Sequence, residues 1–159
     1  DGYWGAKIVM SFTDSDILAC VKAGRLSNPG AEAELTRLLI ERRDMIGRYW
    51  FEKVNPIDLF WIDRHGLNFE DLAVRGNLFT AAETTYQYGL IDSEGQAIGH
   101  ATQLSESLTI PVPDELQPGQ YYGFDIRTLR GKGISKVTRV FFYVWEQGRY
   151  QIVRVERKS

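Results

Sequence analysis

An α+β chain, with a helical N-terminal segment followed by an antiparallel β-sandwich, is predicted by one change of rhythm and by what lies on either side of it. Before Asn55-Pro56, apolar residues recur every three or four positions, the period of a helix packed on one face. After it they alternate with polar residues, the period of a half-buried strand. Clusters of Gly, Pro, Asn, Asp and Ser then punctuate about seven short runs, the pattern of a sandwich or barrel. The organisation that follows is a helical segment over residues 1–55 and a sandwich over 56–159.

Within the first part, Tyr3 to Phe12 reads as a short helix with Trp4, Ile8 and Val9 at helical spacing. Thr13 with Asp16 three residues on is a capping-box start, in which a hydroxyl accepts from the first-turn N–H groups. Ile17, Leu18 and Val21 carry a second helix, and Gly24 is placed as its left-handed terminator. Asn28-Pro29 opens a third, since Asn caps well and Pro at the first helical position loses no needed donor. This helix is predicted to reach about Phe51, with Leu35, Leu38, Leu39, Ile46 and Trp50 as its apolar stripe. Arg37 and Glu41, and Asp44 and Arg48, sit four apart on the polar face. The residue before Pro56 resists the α region, so the helix stops there.

In the second part, Leu59–Ile62 and Leu67–Val74 read as strands around Arg64-His65-Gly66. Leu67 and Phe69 alternate, then Leu72 and Val74, and the slip in parity predicts a β-bulge. Tyr86, Tyr88 and Leu90 form the next strand, closed by Asp92-Ser93-Glu94-Gly95. Leu108, Ile110 and Val112 alternate up to Pro113, and Tyr122, Phe124 and Ile126 follow. Val137–Trp145 is nearly all apolar, as expected of a strand covered on both faces. Glu146-Gln147-Gly148 turns the chain into a last strand, Tyr150–Val155.

The segment Leu116-Gln117-Pro118-Gly119-Gln120-Tyr121-Tyr122-Gly123-Phe124-Asp125-Ile126-Arg127 resembles the E–F corner and F strand of fibronectin type III domains. The resemblance covers about residues 57–145 and implies an immunoglobulin-like β-sandwich. It implies that Tyr122 is a corner tyrosine whose hydroxyl bonds back to the preceding turn, a feature shared by immunoglobulin-like sandwiches. It puts strand C at Tyr86–Ile91 and the start of strand G near Val137. Trp61 would stand in for the family's buried strand-B Trp, and the Tyr150–Val155 strand would be additional. The helical part, with Tyr3-Trp4-Gly5-Ala6-Lys7 and Arg42-Arg43-Asp44-Met45-Ile46-Gly47-Arg48-Tyr49-Trp50, resembles the tail of large uncharacterised bacterial proteins. Some of these resemble kinase-like folds upstream, but no kinase catalytic loop or metal-binding motif occurs in this chain. With Asp1 as first residue, we expect a C-terminal fragment of a larger bacterial protein.

Chemistry-bearing patterns are scarce. The one cysteine, Cys20, has apolar neighbours and is expected to be a small buried hydrophobe. Asp63 and His65 are too few for a metal site, and His100 stands alone. Glu32/Glu34 suit a first helical turn. Glu70/Asp71 flank the expected bulge and read as structural. No nucleophile elbow, phosphate loop, paired CxxC or HExxH occurs. No catalytic, cofactor-binding or metal-ligating residue is therefore assigned, no cofactor is expected, and a non-enzyme is predicted. No apolar run reaches the roughly 18 residues of a membrane span.

Charge placement says more. Residues 76–126 hold seven acids and no Lys or Arg, whereas residues 127–159 hold nine Lys or Arg against two Glu. Either facing strands pair these charges, or Arg127, Arg130, Lys132, Lys136 and Arg139, with Trp145, form an interaction patch for an acidic partner. A sequence pI near 5.7 and the lack of any nucleic-acid-binding motif speak against nucleic acid. Phe141, Tyr143 and Trp145 share a strand face and would make a carbohydrate platform if exposed; covered by helices, they would be core. The leading expectation is a non-catalytic accessory or protein-interaction module whose partner is a protein or an upstream domain of the same chain. The alternatives are a carbohydrate- or envelope-binding module and an enzyme whose site is assembled from scattered carboxylates and tyrosines. The sequence fixes no compartment; a bacterial cell envelope or periplasm is compatible with it.

Overall fold

The computed structural model describes residues 2–99, 102–131 and 133–157. His100 and Lys132 lie outside the described residues. The chain divides into two compact units, Asp1–Glu52 and Lys53–Ser159.

Three helices make the first unit: α1 (Gly2–Met10), α2 (Asp14–Ala23) and α3 (Pro29–Lys53). The capping box is formed, with Asp16 N–H donating to Thr13 Oγ1 at 3.1 Å and Thr13 N–H donating to Asp16 Oδ2 at 2.8 Å. Those two Thr13 donors, side chain and backbone, hold the Asp16 carboxyl below its ordinary range. The end of α2 departs from expectation. Gly24 stays right-handed (φ −70°), and Arg25 takes the left-handed conformation (φ +48°). Gly24 N–H still reaches Val21 O at 3.0 Å, so the helix tightens for a last turn before reversing one residue later. Asn28 Oδ1 accepts from Gly30 N–H at 2.9 Å and starts α3. The stripe of α3 is only partly sheltered: Leu35, Leu38, Leu39 and Ile46 each keep close to 40% of their surface in water. Cys20 is exposed rather than buried. Three helices of this length have too little interior to cover every apolar position.

The second unit is a sandwich of two antiparallel sheets. The smaller sheet has the order β1 (Ile57–Asp63), β2 (Gly66–Asp71), β5 (Thr109–Ile110). The larger has the order β4 (Gln103–Ser105), β3 (Thr84–Asp92), β6 (Tyr121–Arg130), β8 (Thr138–Val144), β9 (Tyr150–Arg157), with β7 (Gly133–Ile134) on β6. Ile57, Leu67, Phe69 and Ile110 from one sheet meet Tyr86, Tyr88, Phe124, Ile126, Val140 and Phe142 from the other in a shared core. Phe124 and Phe142 stack at 5.7 Å, and Phe69 meets the edge of Tyr86 at 5.0 Å.

The strand expected over Leu67–Val74 ends at Asp71, and Leu72–Arg75 is a single helical turn, α4. The parity slip was thus a change of element. Asp71 caps the turn by accepting from the N–H groups of Ala73 and Val74 at 3.0 and 3.3 Å. The irregularity lies instead in β1, between Asp58 and Trp61, where Leu59 has φ +53°. It leaves Trp61 about half exposed, so the ring buried on β2 is Phe69, fully sheltered. The run Leu108–Val112 shortens to Thr109–Ile110, because Pro111 and Pro113 lack the donors a ladder needs.

Candidate functional site

Tyr122 is built into the turn before it. Gln117 N–H donates to Tyr122 Oη at 3.2 Å, and Gly119 N–H donates to Val144 O at 2.8 Å, which ties the Pro118-Gly119 turn to the end of β8. At the opposite end of β6, Asn55 is buried and bridges the first residues of the unit to that strand. Its Nδ2 donates to Ile126 O at 3.0 Å and its Oδ1 accepts from Thr128 Oγ1 at 2.7 Å.

The most concentrated polar group is a cluster around Asp71. Besides capping α4, its carboxylate accepts from Tyr86 Oη at 3.0 Å and from Arg130 Nη2. Arg130 Nε donates to Thr84 Oγ1 at 3.2 Å, and the guanidinium lies 4.8 Å from the Phe79 ring centre. Burial, then the adjacent Asp71 charge, pushes the Tyr86 hydroxyl far up, with Arg130 opposing. A phenol so disfavoured from ionising is a poor general base or nucleophile at neutral pH. The Asp71 carboxylate, the Tyr86 hydroxyl, and Arg130 through Nε and Nη2 are all engaged within the fold, which is the pattern of a structural lock. Asp71 and Arg130 are 59 positions apart, so no sequence spacing could have announced them.

The basic residues singled out in the sequence that are described have different surroundings. Arg130 turns inward to Asp71. Arg139 lies across from Asp125 in the β6–β8 register and pairs with it at 2.8 Å, which raises the guanidinium pKa chiefly through that hydrogen bond. Arg127 is exposed and donates to Ser135 O at 3.2 Å, and Lys136 is exposed. Trp145 follows the far end of β8, six positions from Arg139 and roughly 20 Å along an extended strand. His65 is exposed in its turn, where its N–H donates to Asp63 Oδ1 at 2.8 Å and lowers that carboxyl. Among the described residues no three His, Cys, Asp or Glu side chains group to hold a metal ion. No helix among them is long and apolar enough to cross a membrane.

The outward face of the larger sheet carries aromatic chemistry. Tyr121 on β6 and Tyr143 on β8 are cross-strand partners with ring centres 4.9 Å apart. Tyr143 and Trp145 follow at 4.8 Å with rings at 77°. Tyr121 is 51% exposed and Trp145 45%. Gln151 on β9 pairs with Tyr143, and its Oε1 accepts from Trp145 Nε1 at 3.3 Å. Phe141, expected in the same row, is buried, with the Arg154 guanidinium 4.3 Å from its ring centre. Tyr121 was missed in the sequence; its signal was the alternation of β6, which turns it away from Tyr122 and Phe124 once the register is known.

Two clefts flank β3. One, of about 330 Å³, is lined by Tyr88, Gln103, Val112 and Phe124 among others, and there Tyr88 Oη donates to Gln103 Oε1 at 2.6 Å. Burial raises the Tyr88 hydroxyl. The other, of about 200 Å³, includes Gln87, Asp125 and Arg127. Neither brings a nucleophile to a base. No protein-family model, curated protein or solved structure matches the chain.

Proposed function

We propose that the chain is a non-catalytic accessory or interaction module whose sandwich is fibronectin type III-like. The observation that carries the fold part is the strand order. β3, β6 and β8, the segments assigned as C, F and G by resemblance, are consecutive in one sheet, and β1, β2 and β5 form the other. That is the partition expected of strands C, F, G against A, B, E in an immunoglobulin-like sandwich. The bond from Gln117 N–H to Tyr122 Oη supports it at the corner.

The non-catalytic part rests on how the polar groups are used. Acid–base chemistry needs titratable side chains turned towards a cleft and left free to exchange protons. Here the buried carboxylate of Asp71 takes bonds from the buried Tyr86 phenol and the part-buried Arg130 guanidinium, and Asp125 is engaged by Arg139. The outward face of the larger sheet presents the partly exposed rings of Tyr121 and Trp145, which suits binding rather than turnover.

The test is a paired assay on the intact chain, with ligand-detected NMR against oligosaccharide and peptide libraries and product detection on the same samples. Reversible binding with the library unconsumed is expected. A library member that is consumed, with consumption lost in Tyr86→Phe, overturns the reading.

A further inference from the structure

We infer that the row Tyr121–Tyr143–Trp145, with Gln151 beside it, is a binding shelf for a neutral oligosaccharide. The inference rests on the reading of the chain as a binding module and gives that module a place and a ligand class.

The rings are held by the backbone of the sheet itself. Tyr121 and Tyr143 are fixed opposite each other by the β6–β8 register, and Gln151 is fixed opposite Tyr143 by β8–β9. Trp145 is secured by its own backbone, whose N–H donates to Arg149 O at 2.8 Å, and by its indole bond to Gln151. Tyr143 lies between the other two, within 5 Å of each ring centre, and supports them from the middle. The outer rings are about half in water. A site pre-set in this way loses little entropy on binding.

The surrounding chemistry selects the ligand. Sugar rings offer C–H faces that stack on aromatic rings and hydroxyls that need donors and acceptors. The hydroxyls of Tyr121 and Tyr143 have no hydrogen-bond partner among the described residues. Among the described residues the Gln151 side-chain amide is engaged through its oxygen alone, which leaves its N–H groups to donate. The charges in the adjoining turn, Glu146 and Arg149, are exposed and opposite in sign, so they offset one another beside the shelf.

Size argues against a protein as the main occupant. Aromatic side chains offer about 150–250 Å² each when fully open. Three partly exposed rings therefore present on the order of 300 Å², against about 800 Å² per partner in a standard protein interface. A short sugar chain fits the smaller area.

The experiment is calorimetric titration of the intact chain with neutral tetra- to hexasaccharides of glucan, mannan and xylan type, at low salt and at 0.5 M NaCl. Trp145→Ala and Tyr121→Ala are compared with Leu104→Ala, an exposed apolar position on edge strand β4. The expected result is saturable binding to at least one series, unchanged by salt, weakened tenfold or more by either shelf substitution and unaffected by Leu104→Ala. Far-UV circular dichroism confirms that the variants fold. No binding by any series, or binding untouched by the shelf substitutions, overturns the inference. Binding of peptides in place of sugars, lost in Trp145→Ala, also overturns the ligand class while leaving the module reading in place. Turnover of a sugar overturns the module reading itself.

Discussion

Asp71 accepts from two backbone N–H groups, a tyrosine and an arginine at once, and this single carboxylate connects β2, α4, β3 and β6. Such a group sets a pH limit. The Tyr86 phenol is neutral in the fold and its pKa is raised above the ordinary value of 10.0. An unfolded chain gives up that proton once the pH passes about 10, while the folded chain keeps it. The folded state then binds more protons, so stability falls as pH rises. Urea unfolding followed from pH 8 to 11 is expected to show this loss, and Tyr86→Phe is expected to flatten its slope. Thr138 makes the opposite case. Its hydroxyl is buried with no hydrogen-bond partner among the described residues. Thr138→Val keeps the shape and removes the stranded polar atom, so it is expected to raise unfolding stability by about 1 kcal/mol. A loss of stability in that variant would reveal a partner for the hydroxyl.

At the level of elements, the turn between β1 and β2 depends on one glycine. Gly66 has φ +140°, and a side chain there would put its first carbon 2.1 Å from Ile110 O. The approach lets β5 pair with β2 directly beside the turn. Gly66→Ala is expected to cost about 3 kcal/mol from backbone strain and steric displacement, with hydrogen exchange accelerated first at Leu67–Phe69. Local signals of this kind were what the sequence displayed best. The Thr13 capping box, the Asn28-Pro29 start, the turn at Asp92–Gly95 and the strand through Tyr122, Phe124 and Ile126 are all present, since each is decided by a few neighbouring residues. The errors fell where two local signals compete. Leu72–Val74 alternates like a strand, yet the Asp71 carboxylate captures the next N–H groups and starts a helical turn. Gly24 invites a left-handed terminator, yet the chain reverses at Arg25.

Over the whole molecule, the charge split is partly neutralised by pairing. Arg139 takes Asp125 from the acidic stretch, while Arg130 and Arg157 reach back to Asp71 and Asp58 in the smaller sheet. None of these pairs is local in sequence, and the shelf likewise draws Tyr121, Tyr143, Trp145 and Gln151 from three strands and the turn between two of them. The sheet order that creates it could be anticipated only through the resemblance, because strand alternation gives a face but not a neighbour. The outward aromatic row was therefore half visible: Tyr143 and Trp145 from their own strand, Tyr121 and Gln151 only after pairing. The shelf is tested most directly by the tryptophan indole N–H resonances of the intact chain during titration with the neutral oligosaccharide that binds best. The account predicts that the Trp145 signal moves saturably while that of Trp61, on β1 of the smaller sheet, stays in place. A Trp145 signal that remains fixed while sugar binds would contradict it.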